Sequence, residues 1–342
     1  MQKIRLGKTN MMVTKLGFGG IPIQRVTEPE AIEVVRRCLD LGINFIDTAH
    51  IYSNSEERIG KAIAGRRNEV ILATKTMERT RRGVEDDIKQ SLQRLGTDYI
   101  DLYQFHNVCD FDTLERILEP GGPMSVVEAA QKAGVIKHIG ITSHVIDMAK
   151  ELVKTGRFES IMFPFNFITN ESAAELLPLT REHDVGFIAM KPLAGGSLEN
   201  ITLAFKYLFQ FPDVMPIPGI GAVREVEEIV EILEAGAMTA EERKDMERIR
   251  REMGKQFCRR CEYCQPCPEG IVIPLVMDAF GFIRKEPLDT VFSGFFADEM
   301  EKAALCTRCG ECEEKCPYDL PIRDMIAERV AYYQEEKRKY LG

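Results

Sequence analysis

Nowhere in the 342 residues does an apolar run reach the roughly 18 residues that a membrane span requires. The longest candidate, Ile161 to Ile168, is broken by Pro164 and Asn166, so no membrane partner is expected. Basic charge is also scarce. Lys and Arg total 45 against 54 Asp and Glu, a net charge of −9, and such a balance argues against nucleic acid as a partner. The opening stretch, Met1 to Asn10, is polar and has no apolar h-region, so no export signal is read there and a reducing cytoplasm is expected. No G-x-G-x-x-G is present. Gly17, Gly19 and Gly20 follow a first strand without completing that pattern, so a nicotinamide cofactor would not sit in a Rossmann fold.

Cysteine, by contrast, is concentrated. Of ten cysteines, eight fall in two runs near the C-terminal end: Cys258, Cys261, Cys264 and Cys267, then Cys306, Cys309, Cys312 and Cys316. The second run reads C-x2-C-x2-C-x3-C-P, the spacing of a bacterial-type iron–sulfur ligand set. The first is one residue shorter in its last gap. A disulfide framework calls for an oxidising compartment and usually a short secreted chain. Paired structural zinc sites are the remaining alternative, but three cysteines at successive two-residue gaps followed by Cys-Pro suit iron–sulfur better. Two such runs predict two [4Fe–4S] clusters. The fourth cysteine of each run is expected to serve the other cluster, so that Cys316 joins Cys258, Cys261 and Cys264, and Cys267 joins Cys306, Cys309 and Cys312. Helical stretches in the 38 residues between the runs, such as Ala297–Leu305, point to an α-helical ferredoxin-like domain. Cys38, in a helical pattern, and Cys109, in a loop, are expected to be ordinary.

Upstream, short apolar runs alternate with amphipathic helical patterns. The strands are placed at Lys15–Phe18, Ile43–Ile46, Val70–Ala73, Tyr99–Phe105, Ile136–Ile141, Ser160–Phe163, Val185–Met190 and Val214–Ile217. The helices are placed at Pro29–Leu41, Ser55–Ala64, Val84–Leu95, Ser125–Ala133, Val145–Lys154, Ser172–His183, Ile201–Phe209 and Val223–Leu233. Eight strand–helix units in about 220 residues predict a (β/α)8 TIM barrel. A leading hairpin is expected from Ile4 to Val13, and the charged helix Thr239–Met253 is expected along the outside of the barrel. The domains are accordingly read as 1–254, the barrel, and 255–342, the iron–sulfur domain.

Chemistry in such barrels sits where the strands end. Strand two ends at Asp47 with Tyr52 shortly after, strand three at Lys75, and strand four at His106. Neighbouring strands are ~4.8 Å apart, so these side chains can converge. A phenol with a pKa near 10 is a weak acid at neutral pH. A nearby ammonium lowers that value, and a carboxylate can hold the ammonium in place. The set suits proton donation to a carbonyl oxygen while hydride reaches the carbon.

At these residues the chain resembles the aldo-keto reductases, over roughly residues 3 to 235. Arg5-Leu6-Gly7-Lys8-Thr9, Leu16-Gly17-Phe18-Gly19-Gly20, and Asp47-Thr48-Ala49-x-x-Tyr52 followed by Ser55-Glu56-x-x-Ile59-Gly60 carry the resemblance. The narrower likeness is to the branch with a C-terminal ferredoxin-type domain. It rests on Met190-Lys191-Pro192-Leu193-Ala194-Gly195-Gly196 and on Cys264-x-x-Cys267-Pro268-x-Gly270-Ile271-x-Ile273-Pro274. The resemblance implies reduction of a small carbonyl substrate by NADP or NAD in its reduced form. Tyr52 would be the general acid, Lys75 and Asp47 would tune it, and His106 would orient the substrate. It implies cofactor contacts at Gly20, Asp47, Thr142, Ser143, Lys191, Leu193, Gly195, Pro218, Gly219, Gly221 and Arg224. The usual Gln on strand six is Met162, which cannot bond a carboxamide. The segment Pro216 to Glu225 opens a helix and is expected to cradle phosphate. Gly219 and Glu225 stand where basic residues often clamp the 2′-phosphate of NADP, so no strong preference for NADP is expected. The absence of Trp removes a common wall of the family's substrate pocket. The alternative function is an electron-transfer module whose clusters exchange electrons with a redox protein partner while the barrel serves as a scaffold. A third reading makes the clusters structural staples only.

Overall fold

The computed structural model describes all residues, Met1–Gly342. The chain divides into two compact units, Met1–Met238 and Thr239–Gly342.

The first unit opens with an antiparallel hairpin, β1 (Lys3–Arg5) and β2 (Met12–Thr14), in which Ile4 lies opposite Val13. Eight strands follow: β3 (Phe18–Gly19), β4 (Phe45–Asp47), β5 (Ile71–Thr76), β6 (Ile100–Phe105), β7 (Ile136–Thr142), β8 (Ser160–Pro164), β9 (Gly186–Met190) and β10 (Val214–Pro216). They pair in chain order and all in parallel. The sheet closes on itself where β3 meets the end of β10: Gly17 N donates to Pro216 O at 3.0 Å, and Gly19 N donates to Pro218 O at 2.8 Å. The result is the (β/α)8 barrel read from the sequence. The hairpin lies at the N-terminal end of β9, with Lys8 N donating to Asp184 O at 2.6 Å.

Between the strands run α1 (Glu28–Asp40), α2 (Ser55–Ile63), α3 (Arg81–Leu95), α4 (Phe111–Leu118), α5 (Pro123–Lys132), α6 (Ile146–Lys154), α7 (Glu171–Glu182), α8 (Ile201–Phe209) and α9 (Val223–Glu234). The period of two along each strand sorts the core into two layers. Phe45, Ala73, Leu102, Met162, Ile188 and Met215 fill the barrel interior. Phe18, Ile46 and Leu72 face outward and pack on Val34, Val35 and Ile59 of α1 and α2. Because burial on both faces demands apolar residues throughout, the strands read as continuous apolar runs. The helix α4 was not among the expected elements. Asp110 starts it by accepting from Thr113 N at 2.7 Å, and only Leu114 and Ile117 of it are buried.

The regular elements of the second unit are all helices: α10 (Ala240–Met253), α11 (Ile273–Met277), α12 (Ala279–Lys285), α13 (Leu288–Val291), α14 (Gly294–Ala303), α15 (Glu311–Glu314) and α16 (Ile322–Leu341). Ile273, Val276, Phe296, Met300, Ile326 and Tyr333 form its core. The division of the chain falls sixteen residues earlier than the expected boundary after residue 254, so α10 goes with the second unit. Its start is well marked. Thr239 Oγ1 accepts from Glu242 N at 3.2 Å, and Glu242 Oε2 accepts from Thr239 N at 2.6 Å, a reciprocal cap. No helix of the structure is long and apolar enough to cross a membrane.

Candidate functional site

Parallel pairing carries β4, β5 and β6 to the same end of the barrel, with Asp47 opposite Ala73 and Lys75 opposite Gln104. There Lys75 Nζ donates to Asp47 Oδ2 at 2.6 Å and to Thr48 O at 2.6 Å. Gln104 Nε2 donates to Asp47 Oδ1 at 3.2 Å. The Lys75 ammonium lies 5.2 Å from the centroid of the Tyr52 ring. The His106 ring meets that of Tyr52 edge-on, with centroids 5.9 Å apart. All four residues expected from the strand ends therefore converge, with Lys75 1% exposed, Asp47 3% and Tyr52 9%. Gln104 was missed. Its signal was available, because a polar residue two positions before His106 on a buried strand shares the same face.

A charged pair this deep needs additional bonds to be tolerated, and Thr48 O and Gln104 supply them. Burial pushes the Lys75 ammonium down from its ordinary value, against the pull of the Asp47 carboxylate. His106 is held well below the ordinary histidine value, first by burial and then by the positive charges of Lys75 and Arg79. Its ring is therefore neutral, and its Nδ1 is buried without a hydrogen-bond partner. On the outward side of the same strand, Thr74 Oγ1 donates to Glu56 Oε1 at 2.7 Å and Thr76 Oγ1 donates to Asp87 Oδ2 at 2.6 Å. These two bonds fix β5 between α2 and α3 from behind.

Eight of the residues assigned to a dinucleotide divide into three groups. Gly20, Pro218 and Gly219 belong to the barrel wall. Gly20 N donates to Asp47 O at 2.8 Å, and a Cβ on Gly20 would lie 2.8 Å from Ser55 Oγ and 2.9 Å from Asp47 O. Gly219 pairs with Gly19 at the seam. Thr142 and Ser143 end β7 with both hydroxyls engaged. Thr142 Oγ1 accepts from Asn107 N at 2.7 Å, and Ser143 Oγ accepts from Val145 N at 3.2 Å. Met162 is buried in the barrel interior. Lys191, Leu193 and Gly195 lie on the loop after β9. There φ is positive at Lys191, Ala194, Gly195 and Gly196 (54°, 49°, 73° and 99°). The turn is closed by its own backbone: Ala194 N donates to Lys191 O at 2.9 Å, Gly196 N to Leu193 O at 2.8 Å and Leu198 N to Leu193 O at 3.1 Å.

After β10 the expected phosphate cradle is filled from within. Glu225 Oε2 accepts from Gly221 N at 2.7 Å and from Ala222 N at 3.2 Å. The amides that open α9 thus hold the chain's own carboxylate, and Arg224 is exposed beside them. The start of α9 does not fit an additional phosphate.

In the second unit each cysteine run bends alike. Positive φ falls at Arg260 and Glu262 in the first run and at Arg308 and Gly310 in the second (59°, 68°, 58° and 93°), two and four residues after the leading cysteine of each run. Two cavities result. One is walled by Cys258, Cys261, Cys264 and Cys316. The other is walled by Cys306, Cys309, Cys312 and Cys267, with Cys264 also reaching it. The first cavity takes three thiols from one run and one from the other, and the second takes three from one run and two from the other. No three His, Cys, Asp or Glu side chains close on a single-ion site, whereas thiols spread around a cavity suit a polynuclear cluster. Burial pushes Cys258 up to about 11 and Cys264 up to about 12, so binding as thiolates is coupled to metal. Cys38 is buried in α1.

Residues 15–202 match the model of the aldo/keto reductase family, and residues 257–321 match that of a 4Fe-4S dicluster domain. Among curated proteins, the uncharacterized oxidoreductase YqkF of Bacillus subtilis is 34% identical over 212 residues, covering 58% of this chain and 67% of that one. The aldo-keto reductase YhdN of the same organism is 30% identical over 233 residues, covering 63% and 68%. Among solved structures, the holo form of aldo-keto reductase AKR11C1 from Bacillus halodurans superposes with a TM-score of 0.63 at 29% identity, covering 73% of this chain and 96% of that one.

Proposed function

The chain belongs to the aldo-keto reductase family, an oxidoreductase with a 4Fe-4S dicluster domain after its barrel, and from that premise we propose that it reduces a small carbonyl compound with NADH or NADPH, Tyr52 acting as the general acid. The observation that carries this reading is the buried Lys75–Asp47 pair, 2.6 Å apart, held beside the Tyr52 ring. An adjacent ammonium eases loss of a phenol's proton. Neutral His106 can donate one hydrogen bond to the carbonyl oxygen and so orient it. A bound dihydronicotinamide would supply the hydride. The carbonyl carbon gains that hydride, the oxygen gains the Tyr52 proton, and the C=O π bond becomes C–O–H. Asp47 and Gln104 keep the ammonium in place through the proton transfer. In the second unit, two [4Fe–4S] clusters would supply one-electron transfer. Their ligand sets would be Cys258, Cys261, Cys264 with Cys316, and Cys306, Cys309, Cys312 with Cys267. A redox protein is the partner such clusters fit.

Cofactor choice follows from Glu225. A phosphate brought to the start of α9 must displace a carboxylate already bonded to two amides, or lie against it. NADPH is therefore expected to bind no more than about 100-fold better than NADH, a ceiling of some 2.7 kcal/mol. Fluorescence titration of both dinucleotides tests this, and a larger preference for NADPH would mean that a different set of residues clamps the phosphate. Glu225→Gln should move the ratio toward NADPH.

A further inference from the structure

We propose that Arg79 makes this site selective for carbonyl substrates bearing a carboxylate, that is, for oxo acids; the proposal rests on the carbonyl-reduction reading and narrows it. Arg79 lies four residues beyond Lys75, between β5 and α3. Its Nη2 donates to the backbone oxygen of His106. Its Nη1 donates to Thr76 O at 3.3 Å and to Glu78 O at 3.1 Å. The guanidinium is thus pinned to the main chain of the residue whose ring meets Tyr52.

A guanidinium carries five N–H donors in a planar fork. The three backbone oxygens take three of them, and the remaining two are the number that a carboxylate accepts in bidentate fashion. The acids nearest in charge are turned to other work. Asp110 accepts from Thr113 N at 2.7 Å and from Thr113 Oγ1 at 2.8 Å, and Glu78 Oε2 accepts from Thr80 Oγ1 at 3.3 Å. Asp110 and Glu78 keep their charge near Arg79 but neither bonds to it, so its fork is not taken by a carboxylate of the chain. Lys75 is matched by Asp47, His106 is neutral, and Arg79 stands beside them as a half-buried cation bonded only to uncharged oxygens. In a partly desolvated site such a cation attracts an anion more strongly than it would in water. The hydrogen bonds to the His106 and Thr76 carbonyls also limit how far the guanidinium can follow solvent away from the site.

The test compares short oxo acids of increasing chain length with their primary amides, using protein purified anaerobically with its clusters. Wild type should favour the best acid over its amide by roughly 10- to 100-fold in kcat/KM, the range of a charge-assisted hydrogen bond. Arg79→Met should bring that ratio to about 1, and Arg79→Lys, which keeps the charge without the fork, should fall between. A merely structural role for Arg79 would lower acid and amide alike and leave the ratio unchanged, which would overturn the proposal, as would equal use of acid and amide by wild type. If no carbonyl is turned over, the carbonyl reading itself fails. Calorimetric titration of the same acids and amides into wild type and Arg79→Met then decides on Arg79: selective, Arg79-dependent binding of the acids supports the assignment, and its absence overturns it.

Discussion

Tyr52→Phe is expected to lower kcat on any carbonyl substrate by about 10²-fold or more, the size of a lost general acid, while dinucleotide affinity is kept. The substitution removes one hydroxyl and leaves a ring of the same shape. The edge contact with His106, centroids 5.9 Å apart, and the ring's place beside Lys75 should therefore persist. A fall confined to kcat and kcat/KM together marks an interaction made only in the transition state. Steady-state kinetics paired with a fluorescence titration of the dinucleotide measures both quantities. Turnover near that of wild type would remove Tyr52 from the mechanism.

The second large effect is in the dicluster domain. Cys316→Ser should cost the protein about half of its iron and sulfide, and the cluster lost should be the one that Cys258, Cys261 and Cys264 serve, although Cys316 belongs to the other run. The reason is geometric, since Cys316 walls the same cavity as the first three cysteines. Cys267→Ser should do the reverse and damage the cluster on Cys306, Cys309 and Cys312. Crossed ligation ties the two runs together, so the domain should fold only as its clusters assemble. Iron and sulfide quantification with EPR of each variant separates the outcomes. Loss of the cluster on Cys306, Cys309 and Cys312 in Cys316→Ser would mean that each run holds its own cluster.

Most of the barrel was legible because its strands are buried on both faces and therefore read as apolar runs bounded by turns. The strand ends followed, and with them Asp47, Lys75 and His106. The first strand was placed early, at Lys15–Phe18, whereas pairing is found at Phe18–Gly19. Its partners at the seam are the end of β10 and the segment beyond it, contacts that no local pattern announces. The helix α4 escaped because its apolar stripe, Phe111, Leu114, Ile117 and Leu118, runs over only eight residues, shorter than the window in which a helical period is read with assurance. The boundary after α9 was placed late because α10 is mostly charged and buries only Met246, so its sequence does not reveal which core it serves. Glu225 shows the limit of reading charge alone. The sequence marked it as repulsive to a phosphate, but not as the occupant of the amides themselves. Thr142 and Ser143 were expected as cofactor contacts, and their hydroxyl oxygens accept from the amides of Asn107 and Val145, bonds that the sequence does not announce. Cysteine spacing, in contrast, announced the dicluster domain from the chain alone.

The most direct test of carbonyl reduction in the barrel is a stopped-flow experiment under anaerobic conditions, in which protein with its clusters is mixed with NADH or NADPH, with and without an oxo acid, in wild type and Tyr52→Phe. The account predicts oxidation of the dinucleotide that requires the carbonyl compound, yields the alcohol in equal amount, and slows by about 10²-fold in the variant. Dinucleotide oxidation that proceeds without any carbonyl compound, tracks bleaching of the clusters and is indifferent to Tyr52 would contradict it and make the chain an electron-transfer protein.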